Sequence, residues 1–153
     1  MRSGLTASLL DTNVLVYAHD PRDAGKQDRA IEVLQALQAS AAGVLSVQCL
    51  TEFYRVATAR LPQPLARSTA LAEVERLALI FRVVAVTPMV AIEGCRGAVD
   101  HQLAIWDALI WSAAKLNQVP LVLTEDAPHG RLLEGVRYLN PFDPTFELAE
   151  LAA

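Results

Sequence analysis

Ser8-Leu9-Leu10-Asp11 and Leu121-Val122-Leu123-Thr124-Glu125-Asp126 share one pattern: a short apolar run that ends in carboxylates. A continuous run of this length is how a strand buried on both faces reads. The first such strand is expected at residues 7–10 and another at Leu121–Leu123. Similar runs occupy residues 44–47 and 83–86, with a short fifth candidate at Val136–Leu139. The segments between them have helical spacing. Residues 25–41 place Ala30, Ile31, Val33, Leu34 and Leu37 on one stripe, and residues 13–18 make a short helix. Further helices are expected at residues 48–60, Arg67–Ile80 and Ile105–Leu116, the first of these ended by Leu61-Pro62-Gln63-Pro64. Pro88 suits the first turn of one more. Strands alternating with helices predict an α/β fold, three layers in all, with a central parallel sheet of four to five strands. In such sheets ligands bind outside the carboxyl ends of the strands. The residues that follow each strand therefore carry extra weight.

The chain has 153 residues, 53 % of them apolar, which fits one domain spanning residues 1–153 and argues against global disorder. No apolar stretch reaches the roughly 20 residues needed to span a bilayer. Arg2 precedes a short apolar run, but Asp11 ends it and no small-residue cleavage site follows, so a cytoplasmic protein is expected. Cys49 and Cys95 are too few for a disulfide framework and read as buried free thiols. The formal net charge is −4, whereas a protein that grips nucleic acid through backbone charge alone is usually basic. Bound divalent cations would resolve that conflict locally.

If the sheet is parallel, Asp11 and the acids after Leu123 project at the same edge. Asp11 also reads as a helix cap, because Asp caps well and a short helix follows. Glu125 and Asp126 also read as a polar turn ahead of Pro128 and Gly130. Asp107 lies in Ile105-Trp106-Asp107-Ala108-Leu109-Ile110-Trp111, where nearly every neighbour is apolar. Such a helix is expected to be largely buried, and a carboxylate inside it costs several kcal/mol unless paired or metal-bound. The competing readings are a first-turn Asp facing the helix dipole and one paired with a buried Arg. Glu52 follows the second strand by about one helical turn, off a core face of Leu50, Phe53, Tyr54 and Ala57; periodicity alone makes it a solvated residue. Two carboxylates about 5 Å apart repel by roughly 3 kcal/mol at an effective dielectric near 20. A cluster of them takes up protons or binds a cation. All-oxygen ligation suits Mg²⁺ or Mn²⁺, and no Cys/His spacing points to Zn²⁺.

Four segments resemble the motifs of PIN-domain nucleases, in order. They are Leu10-Asp11-Thr12-Asn13-Val14-Leu15-Val16-Tyr17, Leu50-Thr51-Glu52-Phe53, Trp106-Asp107-Ala108-Leu109-Ile110 and Leu123-Thr124-Glu125-Asp126. The ending at residues 136–142 is similar to that of VapC-type toxins from bacterial type II toxin–antitoxin pairs. The resemblance implies a parallel sheet between helices and a Mg²⁺- or Mn²⁺-dependent endoribonuclease that hydrolyses RNA with a metal-activated water. It implies that Asp11, Glu52, Asp107 and Asp126 hold the metal, that Asn13 and Thr124 support these acids, and that Ser46 lines the site. It further implies a cognate antitoxin that covers the site, and a homodimer. Ala104 departs from the pattern, standing where many relatives carry a capping Ser, and Pro128-His129 stiffen the stretch after the fourth motif. Which of Glu125 and Asp126 faces inward stays open, with the match favouring Asp126. Arg55 and Arg60 are candidates for RNA phosphates or a solvated helix face, and His129 reads as a loop residue.

Two other classes compete. One is a phosphohydrolase using Asp11 as nucleophile, but Asn13 stands where a phosphatase would carry its second Asp. The other is an idle PIN-like module that only binds a partner. No G-x-G-x-x-G or Walker-type loop supports nucleotide binding.

Overall fold

The structure is a computed structural model and describes residues 4–152, so Arg2 lies outside the described residues. The chain enters the sheet at once with β1 (Ser8–Leu10), turns through α1 (Thr12–Tyr17) and continues with α2 (Ala24–Ser40). It returns as β2 (Gly43–Ser46), then α3 (Val47–Ala59), α4 (Arg67–Ile80) and β3 (Arg82–Val84). α5 (Pro88–His101) and α6 (Ile105–Leu116) form a hairpin ahead of β4 (Leu121–Leu123). β5 (Leu132–Leu133), β6 (Val136–Leu139) and a 3₁₀ turn (Leu148–Ala152) follow.

Among the described residues the strands form one six-stranded sheet in the order β3-β2-β1-β4-β6-β5. All neighbours pair in parallel except β5 with β6. The expected parallel sheet is thus present, one strand larger than anticipated. The extra strand belongs to a β5–β6 hairpin whose two turn residues, Glu134 and Gly135, both have positive φ (48° and 87°). That is the geometry of a tight hairpin turn matched to strand twist. Glutamate is a poor residue for it, so the turn carries no sequence signal. Glu134 is instead latched by two cations and a histidine: Arg96 at 2.9 Å, Lys115 at 3.2 Å and His101 at 2.5 Å.

The helices divide into two groups that flank the sheet. α1 packs on α2 and α3, and α3 on α4; α5 packs on α6, which lies on β4 and β6. β1 and β4 are buried throughout, as strands covered on both faces must be. α5 and α6 approach closely at Gly97, where an added Cβ would fall within the Trp111 ring. Trp111 is fully buried and its indole N–H donates to the Leu133 carbonyl at 3.1 Å, tying α6 to the hairpin. Cys49 is buried as expected; Cys95 is not, because it lies on the outer face of α5. Among the described residues no helix is long and apolar enough to cross a membrane.

Candidate metal centre

β1 and β4 are adjacent and pair Leu10 with Leu123, so the chain leaves both strands at the same level. Asp11 is the first residue beyond that edge and is only 8 % exposed. Its backbone N–H donates to the Leu123 carbonyl at 2.9 Å. The two readings of Asp11 prove compatible, because its two oxygens divide the work. Oδ1 accepts from the Thr12 N–H at 2.7 Å and caps α1. Oδ2 accepts from the Thr124 hydroxyl at 2.8 Å. Thr124 Oγ1 in turn accepts from the Asp126 N–H at 3.1 Å, which turns the Asp126 side chain toward Asp11. The Asn13 amide completes the frame, donating to Thr124 Oγ1 and to Asp126 Oδ2, each at 3.2 Å.

Asp107 comes from the opposite side, in the first turn of α6. Here the structure corrects an expectation. The start of α6 is not buried: Ile105 is 40 % and Trp106 64 % exposed, Asp107 is exposed too, and burial begins at Ala108. The apolar face of α6 supplies the core from Ala108 onward, while its first turn projects past the sheet. Ala104 offers no side-chain cap there. Of Asp11, Asp107 and Asp126, the buried one is Asp11.

One carboxylate oxygen each from Asp11, Asp107 and Asp126 lie within 4.8 Å of one another. None of the three acids forms an ion pair among the described residues. Burial, reinforced by the charges of Asp126 and Asp107, pushes the Asp11 carboxyl up to about 6 against the hydrogen bonds from Thr124 and Thr12. Asp107 is also raised, by partial burial and then by Asp126. Three uncompensated oxygen donors of this kind fit a hard divalent cation.

The other candidate residues fall into place around this trio. Glu125 turns away: its carboxylate accepts from the Tyr17 hydroxyl at 2.7 Å and from Lys26 Nζ at 3.0 Å. Glu52 stands outside the trio, paired with Arg55 at 3.0 Å. It nevertheless lines the same open cavity of about 460 Å³ as the three acids. Arg55 shares that cavity wall, whereas Arg60 is the exposed C-cap of α3. The Ser46 hydroxyl is committed to the start of α3, accepting from the Cys49 N–H at 3.2 Å. His129 bridges the Asn140 N–H and Glu150, clamping its loop to the 3₁₀ turn. Sequence reasoning gave no role to Asp20, Arg22, Gln48 or Trp106, all of which line the cavity. Only Trp106 left a signal, as an aromatic beside a candidate acid; Arg22 and Gln48 come from elements whose direction no pattern reveals.

Comparison with known proteins bears on the fold that carries this geometry. The family profile described as PIN domain matches residues 8–132. Among solved structures, a toxin–antitoxin complex from Klebsiella pneumoniae superposes with a TM-score of 0.64 at 19 % identity, covering 88 % of this chain and 98 % of that one. VapC20 from Mycobacterium tuberculosis, described as a sarcin-ricin loop cleaving toxin, has a TM-score of 0.59 at 21 % identity, covering 75 % and 86 %. DNA-bound VapBC from Salmonella typhimurium has a TM-score of 0.64 at 18 % identity, covering 90 % and 99 %. At these identities the likeness is one of fold. No curated protein matches the chain.

Proposed function

The chain belongs to the PIN domain family, and from that premise we propose that it is a divalent-metal-dependent endoribonuclease, the toxin of a toxin–antitoxin pair. One observation carries this reading. Asp11, Asp107 and Asp126 bring oxygens within 4.8 Å at the carboxyl edge of the sheet, with no cation among the described residues paired to any of them. In this reading the three acids hold Mg²⁺ or Mn²⁺. When bound, the ion supplies neutralising charge at the phosphoryl oxygens and lowers the pKa of a water.

The protein's own part is positional. Thr124 and Asn13 fix the Asp11 and Asp126 carboxylates so that both face the cavity. Glu52 and Arg55 stand on the far wall as an ion pair that an incoming phosphate can part, Arg55 turning to the phosphate and Glu52 toward the trio. Arg22, paired with Asp20 at 2.7 Å, is a second cation on that wall. The net charge of −4 ceases to be an obstacle, because the charge that meets the substrate is the bound ion.

The solved relatives described as toxin–antitoxin complexes support a protein antitoxin as the partner, and the relative described as cleaving the sarcin-ricin loop supports RNA as the substrate. A cytoplasmic homodimer belongs to the same reading. Exposed Met89, Ile92 and Val99 share one face of α5 and favour a protein partner there.

The purified protein is expected to cut structured RNA in Mn²⁺ or Mg²⁺, and Asp11→Asn or Asp107→Asn to abolish cutting while the domain stays folded. Equal cleavage by those variants, or none by the wild type, overturns the reading; Mn²⁺-independent antitoxin binding without cleavage would leave an idle module.

A further inference from the structure

Beside the open cavity lies a second, smaller hollow of about 60 Å³ that shares the three acids. Val122 and Tyr138 pair across β4 and β6 and so present their side chains to the same sheet face. With Leu103, Ile110 and Ala127 they make much of the remaining wall apolar, and Arg131 is the one cation in the lining. Tyr138 is only 5 % exposed, and its hydroxyl is sealed from solvent with no hydrogen-bond partner among the described residues. A buried polar group left unmatched is uncommon in a folded protein and calls for an explanation. The other hydroxyl in the hollow, that of Thr124, is already committed to Asp11, Asp126 and Asn13. Burial, reinforced by Asp107 and Asp11 and opposed by the charge of Arg131, pushes the Tyr138 phenol up to about 12, and a neutral phenol both donates and accepts.

Three features select the occupant. A hollow of about 60 Å³ is too small for a nucleobase, since a cavity of roughly 150 Å³ is what a benzene-sized ring takes. Three carboxylates outnumber Arg131, the one cation in the lining, and a phosphoryl oxygen, which only accepts, has the ion they hold to meet instead. Tyr138 and the acids together offer a donor and several acceptors against apolar walls. A ribose hydroxyl on its C–H edge matches that set, because the 2′-hydroxyl both donates and accepts. We propose that this hollow receives the ribose 2′-hydroxyl next to the scissile phosphate and that Tyr138 reads it, making the site prefer RNA to DNA. The proposal rests on the nuclease reading above and adds the residue that distinguishes the two polymers.

The test is binding by the full chain to a random-sequence single-stranded RNA pool, the same pool as DNA, and its 2′-O-methyl form. Ca²⁺ replaces Mn²⁺ so that the strands stay intact. Wild type is expected to bind RNA about tenfold tighter than DNA, the worth of about one hydrogen bond of this kind. The 2′-O-methyl pool should bind about as weakly as DNA, a comparison that needs no variant. Tyr138→Phe should bring RNA and DNA within about twofold of each other, leave DNA binding unchanged and not lower the Tm. Equal binding of the RNA and DNA pools by wild type overturns the proposal, as does a preference that survives in Tyr138→Phe. Equal weakening of both pools in that variant assigns Tyr138 to a phosphate and also overturns it. Loss of the RNA preference in Tyr138→Phe, alongside no RNA cleavage by wild type in Mn²⁺, would keep Tyr138 as the reader of the 2′-hydroxyl and overturn its placement beside a scissile phosphate together with the nuclease reading.

Discussion

The Thr124 hydroxyl donates to Asp11 Oδ2 at 2.8 Å, joining two strand ends 113 positions apart in sequence. The bond is buried, and it is one of the two that hold the Asp11 carboxyl down against burial. Thr124→Val keeps the shape and removes the donor. We expect a loss of about 1–3 kcal/mol in denaturant unfolding, because Asp11 and the Asp126 N–H each lose a partner. Mn²⁺ affinity should fall as well, since Asp126 is no longer held toward Asp11. Unchanged stability would mean that Thr124 does not frame the site.

Asp11 makes the metal-free protein sensitive to pH in a direction opposite to an ordinary ion-paired carboxylate. Its pKa is 3.8 in the unfolded reference and about 6 when folded, so the folded state binds the extra proton. That contribution to stability is fully present below the lower value and is lost as pH rises through the higher one. Its size is about 3 kcal/mol at most. Thermal melts in EDTA should show wild type losing stability relative to Asp11→Asn between about pH 4 and about pH 7. Mn²⁺ should raise the wild-type Tm at neutral pH and do so much less for the variant. Parallel pH profiles for the two proteins would contradict the assigned shift.

Glu125 and Asp126 are adjacent yet predicted to behave differently. Glu125 is held by Lys26 and Tyr17 in a part-exposed ion pair, so Glu125→Gln should cost less than about 1 kcal/mol. Its Mn²⁺ affinity should match wild type in calorimetric titration. Asp126→Asn removes a unit charge that is worth roughly 4 kcal/mol at about 4 Å and an effective dielectric of 20, a loss on the order of 1,000-fold. The reverse ranking would exchange the two roles.

Gly97→Ala tests the contact between α5 and α6. Its Cβ would enter the Trp111 ring, which is buried and has no room to retreat. Overpacking of this kind should cost about 1–3 kcal/mol in urea unfolding. A shifted Trp111 emission is expected too, as the indole loosens from the Leu133 carbonyl.

The legible parts of the sequence were those decided by local pattern. Arg67–Ile80, Ile105–Leu116, Leu121–Leu123 and Val136–Leu139 have the expected bounds, and the other expected elements are displaced by two residues at most. The two acid-ended runs are parallel neighbours, which is why their carboxylates meet. What escaped depends on long-range packing. β5 has two residues and its turn relies on cations from α5 and α6 to hold Glu134. The weight placed on Asp107 as a buried charge was misplaced, because composition cannot reveal that the first turn of α6 overshoots the sheet. The separation of Glu125 from Asp126 was equally hidden, since Lys26 and Tyr17 lie about a hundred residues upstream. Glu52 rested on family likeness alone, and its pairing with Arg55 is a local i,i+3 contact.

The strand order also imposes a timetable on synthesis. β1 is translated first, and its later neighbour β4 joins it only after β2, β3 and the α5–α6 hairpin have been made. A nascent chain that stops before Leu121 has no β4, no Thr124 and no Asp126, and carries two of the three acids without the hydroxyl that orients one of them. Such ribosome-bound fragments are expected to be inert toward RNA in a run-off assay of arrested chains. On the nuclease reading proposed above, the chain would thereby stay silent on the ribosome until its third acid has been made.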